Sequence, residues 1–171
     1  MAIFVITFGA FIIGIILIVS LKKTSPPTPQ EQIHFNNPSD VPFYLTDRDA
    51  FKAKCVEFME KFNLEYVHSV WADNHELELA MNDETPVVGG SYIALCIIEP
   101  PGQTVNAIKV KGFLDTVKGE GASRGILITT GYFSNEAINL IEDEPVELVN
   151  IVSFISYLKK FGIYEYIPNS S

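Results

Sequence analysis

The sequence is short of cysteine, of basic residues and of charge altogether, and each shortage excludes a class of protein. With 2 Cys in 171 residues, the chain is neither a disulfide-stapled scaffold nor a four-cysteine zinc module. Its 12 Lys and Arg against 21 Asp and Glu give a net charge of −9. That balance argues against a chain that mainly coats nucleic acid, because neutralising phosphates requires an excess of cations. The charged fraction of 19% and the aromatic fraction of 12% exclude an acidic disordered chain.

The amino terminus carries the longest apolar run of the chain. Residues 2–21 contain no charged side chain, and 14 of them are Ile, Leu, Val or Phe. As a helix they would span about 30 Å, the thickness of the hydrocarbon core of a bilayer. A cleaved signal peptide is the competing interpretation, but no basic region precedes the run and no small-residue cleavage site follows it. We therefore predict a transmembrane anchor within residues 1–23, in which Ala10 and Gly14 form a small-xxx-small pair that would allow a homodimer.

The residues after the apolar run predict how the rest of the chain is arranged. Lys22 and Lys23 follow it directly, so the positive-inside rule places the amino terminus outside the cell membrane and the carboxyl-terminal domain in the cytoplasm. Residues 24–42 contain five prolines and are predicted to form an extended linker. The domain, residues 43–171, holds ten basic and nineteen acidic residues. The whole net charge therefore lies on the domain, and no long-range attraction to DNA or anionic lipid is expected.

The pattern of apolar residues in the domain predicts an α/β fold. The first helix is predicted over residues 47–62, with Thr46 and Asp49 forming a capping box at its start. The elements that follow are predicted as strands 65–71, 76–81 and 91–98, a helix capped by Thr104, strand 125–130, helix 135–143 capped by Ser134, strand 146–149 and helix 151–161. The order α-β-β-β-α-β-α-β-α predicts a mixed sheet flanked by helices, with an antiparallel hairpin on one side. Cys55 and Cys96 both fall at positions predicted to be buried, as core residues.

One stretch of the domain resembles a known family. The segment Arg124-Gly-Ile-Leu-Ile-Thr-Thr-Gly-Tyr-Phe-Ser-Asn-Glu-Ala137, the following Val146-Glu-Leu-Val149 and the order of elements are similar to the Mrr-like branch of the restriction-endonuclease-like superfamily. The resemblance extends over about residues 47–162. It implies the restriction-endonuclease-like fold and a PD-(D/E)xK site. In such a site an acid on the second strand and an acid or Gln on the third hold a divalent cation, and a Lys two residues later assists the attacking water.

The resemblance also implies that this catalytic site is degenerate. The first acid corresponds to Glu78, whereas Ala94-Leu-Cys-Ile97 stands where the family carries its second acid or Gln and its Lys. Leu95 therefore occupies the acid or Gln position and Ile97 the Lys position. Side chains alternate along a strand, so Leu95 and Ile97 share one face, and that face is predicted to be apolar.

Three functions remain open from the sequence. The first is a membrane-anchored module with a degenerate nuclease site that binds DNA or protein and needs no cofactor. The second is an active nuclease in which Glu78 and Glu99 hold Mg²⁺ or Mn²⁺ and Lys109 or Lys111 supplies a migrated ammonium. The third is a structural membrane accessory without nucleic-acid contact. Contacts to DNA, if they exist, are predicted at four basic residues: Lys109, Lys111, Lys118 and Arg124.

Overall fold

The computed structural model describes Ile33, Phe35 and residues 40–87, 89–100 and 102–165. All of these residues belong to one compact unit, Gln32–Ser171. Among them, no helix has the length and hydrophobicity needed to cross a membrane. The predicted anchor, residues 2–21, and most of the predicted linker lie outside the described residues.

The described residues form four α-helices and seven β-strands. The helices are α1 (Arg48–Glu60), α2 (Ala107–Gly119), α3 (Asn135–Leu140) and α4 (Ile151–Lys160). The strands are β1 (Leu64–Trp71), β2 (Glu76–Asp83), β3 (Gly90–Ile97), β4 (Thr104–Val105), β5 (Arg124–Thr129), β6 (Tyr132–Phe133) and β7 (Val146–Val149). The predicted order of helices and strands is confirmed, and β4 and β6 are additions to it.

The main sheet is mixed, as predicted. Its five strands lie in the order β1-β2-β3-β5-β7. Strands β1, β2 and β3 are antiparallel neighbours, whereas β3, β5 and β7 are parallel. The parallel half is the half in which helices connect the strands, because a crossover is needed to return the chain to the same end of the sheet.

The start of α1 differs by one residue from the predicted capping box. The N-cap is Asp47, whose carboxylate accepts a hydrogen bond of 2.9 Å from the backbone N–H of Ala50. Thr46 instead donates its hydroxyl to the carbonyl of Phe43 and closes a short 3-10 helix, Phe43–Leu45. Both residues are good N-caps, and the preceding turn decides between them.

The start of α2 was predicted too early. Thr104 does not cap this helix, because Thr104 and Val105 form β4 and pair with Tyr132 and Phe133 of β6. The N-cap is Asn106, which accepts a hydrogen bond of 3.0 Å from the N–H of Lys109. The predicted cap of α3 is confirmed, since Ser134 accepts from the N–H of Ala137.

The sheet separates two hydrophobic layers. Helices α1 and α4 pack on one face, where Phe58 and Phe154 meet with their ring centroids 5.3 Å apart. Helices α2 and α3 pack on the other face around Phe113. Cys55 and Cys96 are completely buried in the first layer, which confirms their assignment to the core.

The amino-terminal side of the domain is attached to the first layer. Ile33, Phe35 and Val41 are half-buried against it. The backbone N–H of Ile33 donates a hydrogen bond of 2.9 Å to the hydroxyl of Tyr132. Contacts with the core therefore begin about ten residues before position 43.

Candidate active-site face of the sheet

The pairing of β2 with β3 brings the three positions marked by the family resemblance together. Glu78 lies opposite Leu95, and Glu76 lies opposite Ile97. Residues directly opposite in an antiparallel pair project from the same face of the sheet. These four side chains therefore share the face on which α2 packs.

The two residues at the positions that the resemblance assigns to the metal ligand and the lysine are buried in an apolar layer. Leu95 is 6% exposed and Ile97 is 3% exposed. Both belong to the hydrophobic layer around Val110 and Phe113 of α2. A divalent cation such as Mg²⁺ requires oxygen ligands, and these side chains offer none. The packing of Leu95 and Ile97 thus agrees with the apolar character predicted for their face of the strand.

Glu78 and Glu99 are separated along the sheet. Glu99 follows the end of β3, four residues beyond Leu95, the partner of Glu78. Four residues of extended chain cover about 13 Å, whereas two ligands of one Mg²⁺ would lie about 4 Å apart with metal–oxygen distances near 2.1 Å. Within the described part of the chain, no group of three or more His, Cys, Asp or Glu side chains could hold a metal ion. The backbone thus places Glu99 four residues further along the sheet than the position opposite Glu78.

Glu99 is held at the carboxyl end of β3 by its backbone. Its N–H donates a hydrogen bond of 2.8 Å to the hydroxyl of Thr130. The residue lines a cavity of about 300 Å³ whose walls include the half-buried Ile33 and Phe35. The surroundings of this carboxylate are therefore largely apolar side chains.

Lys109 reaches the candidate face but pairs with an acid that sequence reasoning missed. Its ammonium forms an ion pair with Glu76. The nearby turn between β1 and β2 adds a second carboxylate, because the backbone N–H groups of His75 and Glu76 hold the pKa of Asp73 below its usual range and Lys109 acts in the same direction. Side chains alternate along β2, so Glu76 lies on the same face as Glu78. This alternation is the signal by which the sequence could have identified Glu76.

The other three predicted DNA contacts lie elsewhere. Lys111 pairs with Asp115 at 2.9 Å on the surface of α2, and Lys118 pairs with Glu144 at 2.7 Å. Arg124 is exposed at the start of β5 and makes no ion pair with another described residue. It lines a cleft of about 540 Å³ whose other charged lining residues are Glu144 and Glu147. These basic residues do not form one continuous cationic surface.

Comparison with known proteins gives a family match over part of the domain. Residues 98–158 match the Mrr-type catalytic family described as restriction endonuclease. The match begins directly after β3, so it contains neither Glu78 nor Leu95 nor Ile97. No curated protein sequence matches this chain.

Two solved structures share the fold at low sequence identity. One is the restriction endonuclease MspJI in complex with a 27-mer oligonucleotide, with 18% identity and a TM-score of 0.51 over 72% of this chain and 30% of that one. The other is the DNA modification-dependent restriction endonuclease AspBHI, with 13% identity and a TM-score of 0.50 over 81% of this chain and 40% of that one. This chain spans less than half the length of either protein. The chain therefore has a restriction-endonuclease-like α/β fold, with its match to the Mrr-type family confined to the residues that follow β3.

Proposed function

We propose that this protein is a membrane-tethered, cytoplasm-facing domain with a restriction-endonuclease-like fold that binds a partner without cleaving DNA. The observation that carries the proposal is the burial of Leu95 and Ile97, at 6% and 3% exposure, where a nuclease of this fold would hold its cation and its lysine. The apolar run at residues 2–21 supports the tether.

The loss of catalysis follows from the chemistry of these positions. In a metal-dependent nuclease, carboxylate oxygens hold the cation that polarises the phosphate and lowers the pKa of the attacking water. Here Leu95 and Ile97 of β3 supply only hydrocarbon, and Glu78 stays exposed opposite Leu95. The ammonium of Lys109 is paired with Glu76, so it is not free to stabilise charge on a phosphate.

The charges favour a protein as the partner over DNA. Three of the four basic residues predicted to contact DNA are already paired with carboxylates. The chain as a whole carries a net charge of −9, which opposes binding to a polyanion. DNA is the second candidate partner, because the restriction endonuclease MspJI, which shares the fold, was solved with an oligonucleotide.

A cleavage and binding assay tests the proposal. The full chain in detergent is incubated with plasmid DNA and Mg²⁺ or Mn²⁺ over a range of salt concentrations. We expect no cleavage and no metal-dependent rise in the thermal unfolding midpoint. DNA binding that weakens steeply as salt rises would identify DNA as the partner, since each neutralised phosphate releases counterions.

The matched control for this assay is the double variant Glu76→Gln, Glu78→Gln. Cleavage by the unchanged chain that this variant loses would overturn the proposal and establish a nuclease with migrated residues. Cleavage that the variant retains would come from a contaminating enzyme.

The tether is tested separately by protease protection. In membrane vesicles of inverted orientation we expect external protease to digest the domain, and in right-side-out vesicles we expect the domain to be protected. The reverse pattern would place the domain on the outer side of the membrane and contradict the orientation expected from Lys22 and Lys23.

A further inference from the structure

The antiparallel half of the sheet is covered by a helix on one face only. Helix α1 packs against β1 and β2, whereas α2 packs against β5 on the opposite face of the sheet. Near the two ends of the described chain, Ile33 and Tyr164 pack in the same layer as α1 and α4. Among the described residues, no helix is therefore packed across β1 and β2 on the α2 side, and we call this surface the open face.

Strand pairing shows which side chains the open face carries. Residues directly opposite in an antiparallel pair project from the same face of the sheet. Two rows of such residues run across β1, β2 and β3, namely Val70, Glu78 and Leu95, and His68, Ala80 and Ile93. In each row the residue of β3 belongs to the layer that α2 covers, whereas the residue of β1 is exposed.

The open face exposes apolar side chains to solvent. Val70 keeps 55% of its surface exposed, and Val67, at the bulge of β1, keeps 57%. Val67 also lines a cleft of about 600 Å³ together with Ala80 and Ile93. The middle of the open face is thus an apolar depression in the surface of the domain.

The charges on the open face are acidic. Glu78 lies next to Val70, and Glu65 and Glu120 line the same cleft as Val67. All three carboxylates are exposed, and none forms an ion pair with another described residue. The one ion pair on this face within the described residues joins Glu76 to Lys109 at the start of α2. A ligand that covered the apolar depression would therefore meet uncompensated negative charge around it.

This charge and the bulge in β1 exclude three kinds of occupant. A nucleic acid would place its phosphates against the carboxylates. A second copy of the chain, packed face to face, would bring Glu65 and Glu78 against their own equivalents, and like charges in an interface cost affinity. A strand added to the edge of β1 would meet the register shift between Tyr66 and His68, which interrupts pairing along that edge.

The dimensions of the open face fit one helix. From β3 to β1 there are two strand spacings, about 10 Å in all, which is about the diameter of an α-helix. Strands β1 and β2 each have eight residues and are about 27 Å long. A helix of about 18 residues has that length.

We propose that the open face binds a basic amphipathic helix of a protein partner. The apolar side of the helix would pack on Val67, Val70 and Ala80, and its Lys or Arg side chains would pair with Glu65, Glu78 and Glu120. The bound helix would lie beside α2 and complete the helical layer on that side of the sheet. The inference rests on the proposed function, a domain that binds a protein without cleaving DNA, and deepens it by naming the surface and the chemistry of the partner.

A titration with a model helix tests the proposal. The probe is a fluorescent peptide of about 18 residues, made of Leu and Lys, in which the leucines recur at helical spacing and form one face. The full chain is held in nanodiscs of phosphatidylcholine, empty nanodiscs give the background, and binding is followed by fluorescence anisotropy. A second peptide of the same charge has two central leucines replaced by Pro, which breaks the helix.

Four variants with matched controls locate the binding site. Glu78→Lys reverses a charge on the open face, and Glu142→Lys makes the same change at an exposed position in the turn after α3. Val70→Ser removes an apolar contact, and Val87→Ser makes the same change at a fully exposed position in the loop between β2 and β3. Urea unfolding verifies the fold of each variant before the titration.

We expect the unchanged chain to bind the helical peptide and to bind the Pro-containing peptide at least about ten-fold more weakly. Glu78→Lys should weaken binding of the helical peptide by about ten-fold or more, because it places like charges together. Val70→Ser should weaken it several-fold, whereas both control variants should change it by less than about two-fold. No binding by the unchanged chain, equal binding of the two peptides, or equal effects of Glu78→Lys and Glu142→Lys would each overturn the proposal.

Photo-cross-linking gives a second measurement on the unchanged chain. A benzophenone on the leucine face of the helical peptide should form adducts within β1 and β2. Adducts confined to α1 and α4 would contradict binding at the open face. The plasmid assay described above tests the proposed function independently: cleavage there removes that function whatever the peptide does, whereas failure of the peptide tests without cleavage removes only the open-face inference.

Discussion

At the residue scale, isoleucine occupies two opposite environments on the α2 side of the domain, one buried and one exposed. Ile97 is 3% exposed beneath α2, whereas Ile108 is 83% exposed on α2 itself. Only the first position is the one that the family resemblance assigns to the catalytic lysine. The environment of Ile97 therefore decides whether a lysine could be restored there.

The substitution Ile97→Lys is expected to lower the free energy of unfolding by more than about 3 kcal/mol, because an ammonium would be buried in an apolar layer and the carboxylate opposite it, Glu76, is already paired with Lys109. Ile108→Lys should change it by less than about 0.5 kcal/mol. Urea unfolding followed by circular dichroism measures both. A stable Ile97→Lys variant would show that the apolar layer accommodates the catalytic lysine, contrary to the packing described.

Two glycines, Gly125 and Gly112, allow a second comparison at the residue scale. A Cβ on Gly125 of β5 would lie 2.5 Å from a methyl of Val117 and 3.0 Å from the ring of Phe113, whereas a Cβ on Gly112 of α2 would meet nothing within 4 Å. We expect Gly125→Ala to destabilise by about 1–3 kcal/mol through overpacking. Gly112→Ala should stabilise by about 0.5–1 kcal/mol, because alanine is the better helix former. Thermal unfolding measures both changes. A Gly125→Ala variant that is more stable than the Gly112→Ala variant would contradict the expectation.

At the scale of elements, local signals predicted the helices and strands well and predicted their junctions poorly. Ser134 was correctly identified as the cap of α3 because it directly precedes the helix and its hydroxyl accepts from the N–H of Ala137. Thr104 was misassigned because its pairing with Tyr132 depends on a residue distant in sequence. Propensity cannot register such a pairing, and for this reason β4 and β6 were not predicted at all.

The turn between β1 and β2 gives a prediction about pH. Asp73 accepts backbone hydrogen bonds from His75 at 2.6 Å and Glu76 at 2.8 Å, and these bonds lower its pKa in the folded state. A lowered folded pKa means that this stabilisation is present above the unfolded pKa of about 4 and is lost as pH falls through the folded value. Asp73→Asn, which keeps the amide oxygen as acceptor, should therefore be less stable than the unchanged chain at neutral pH.

The difference between Asp73→Asn and the unchanged chain should shrink as the pH falls below about 4. Urea unfolding of both proteins at a series of pH values provides the measurement. A difference that stays constant across the series would mean that the charge of Asp73 contributes nothing to the stability of the turn.

At the scale of the whole molecule, the sequence predicted the apolar part of the candidate site but not the ion pairs around it. That Leu95 and Ile97 share one apolar face could be read from the sequence, because strand periodicity places them together without knowledge of any other element. The ion pair between Lys109 and Glu76 could not, because it depends on where α2 crosses the sheet. The neutralisation of Lys118 by Glu144 likewise requires the packed arrangement of α2 and the chain after α3.

The burial of both cysteines predicts that their thiols become accessible only when the whole domain unfolds. Cys55 on α1 and Cys96 on β3 are 0% exposed, and burial together with the neighbouring Cys96 thiol raises the pKa of Cys55 well above its usual range. A thiol reagent should therefore label both only after global unfolding, at rates that rise together with urea. A chain carrying Val87→Cys, at a position fully exposed in the structure, should be labelled at once at the new thiol. Rapid labelling of Cys55 alone would instead indicate that α1 detaches from the sheet.

The hydrogen bond between Ile33 and Tyr132 joins residues 99 positions apart and determines where mechanical load would enter the domain. A pull through the linker acts first on this bond and on the apolar contacts of Ile33 and Phe35, at the carboxyl end of β3. The five-stranded sheet has many backbone hydrogen bonds that must break together, whereas this attachment can yield one contact at a time. A pull on the chain before Ile33 would thus break the contacts of Ile33 and Phe35 first and leave the sheet intact.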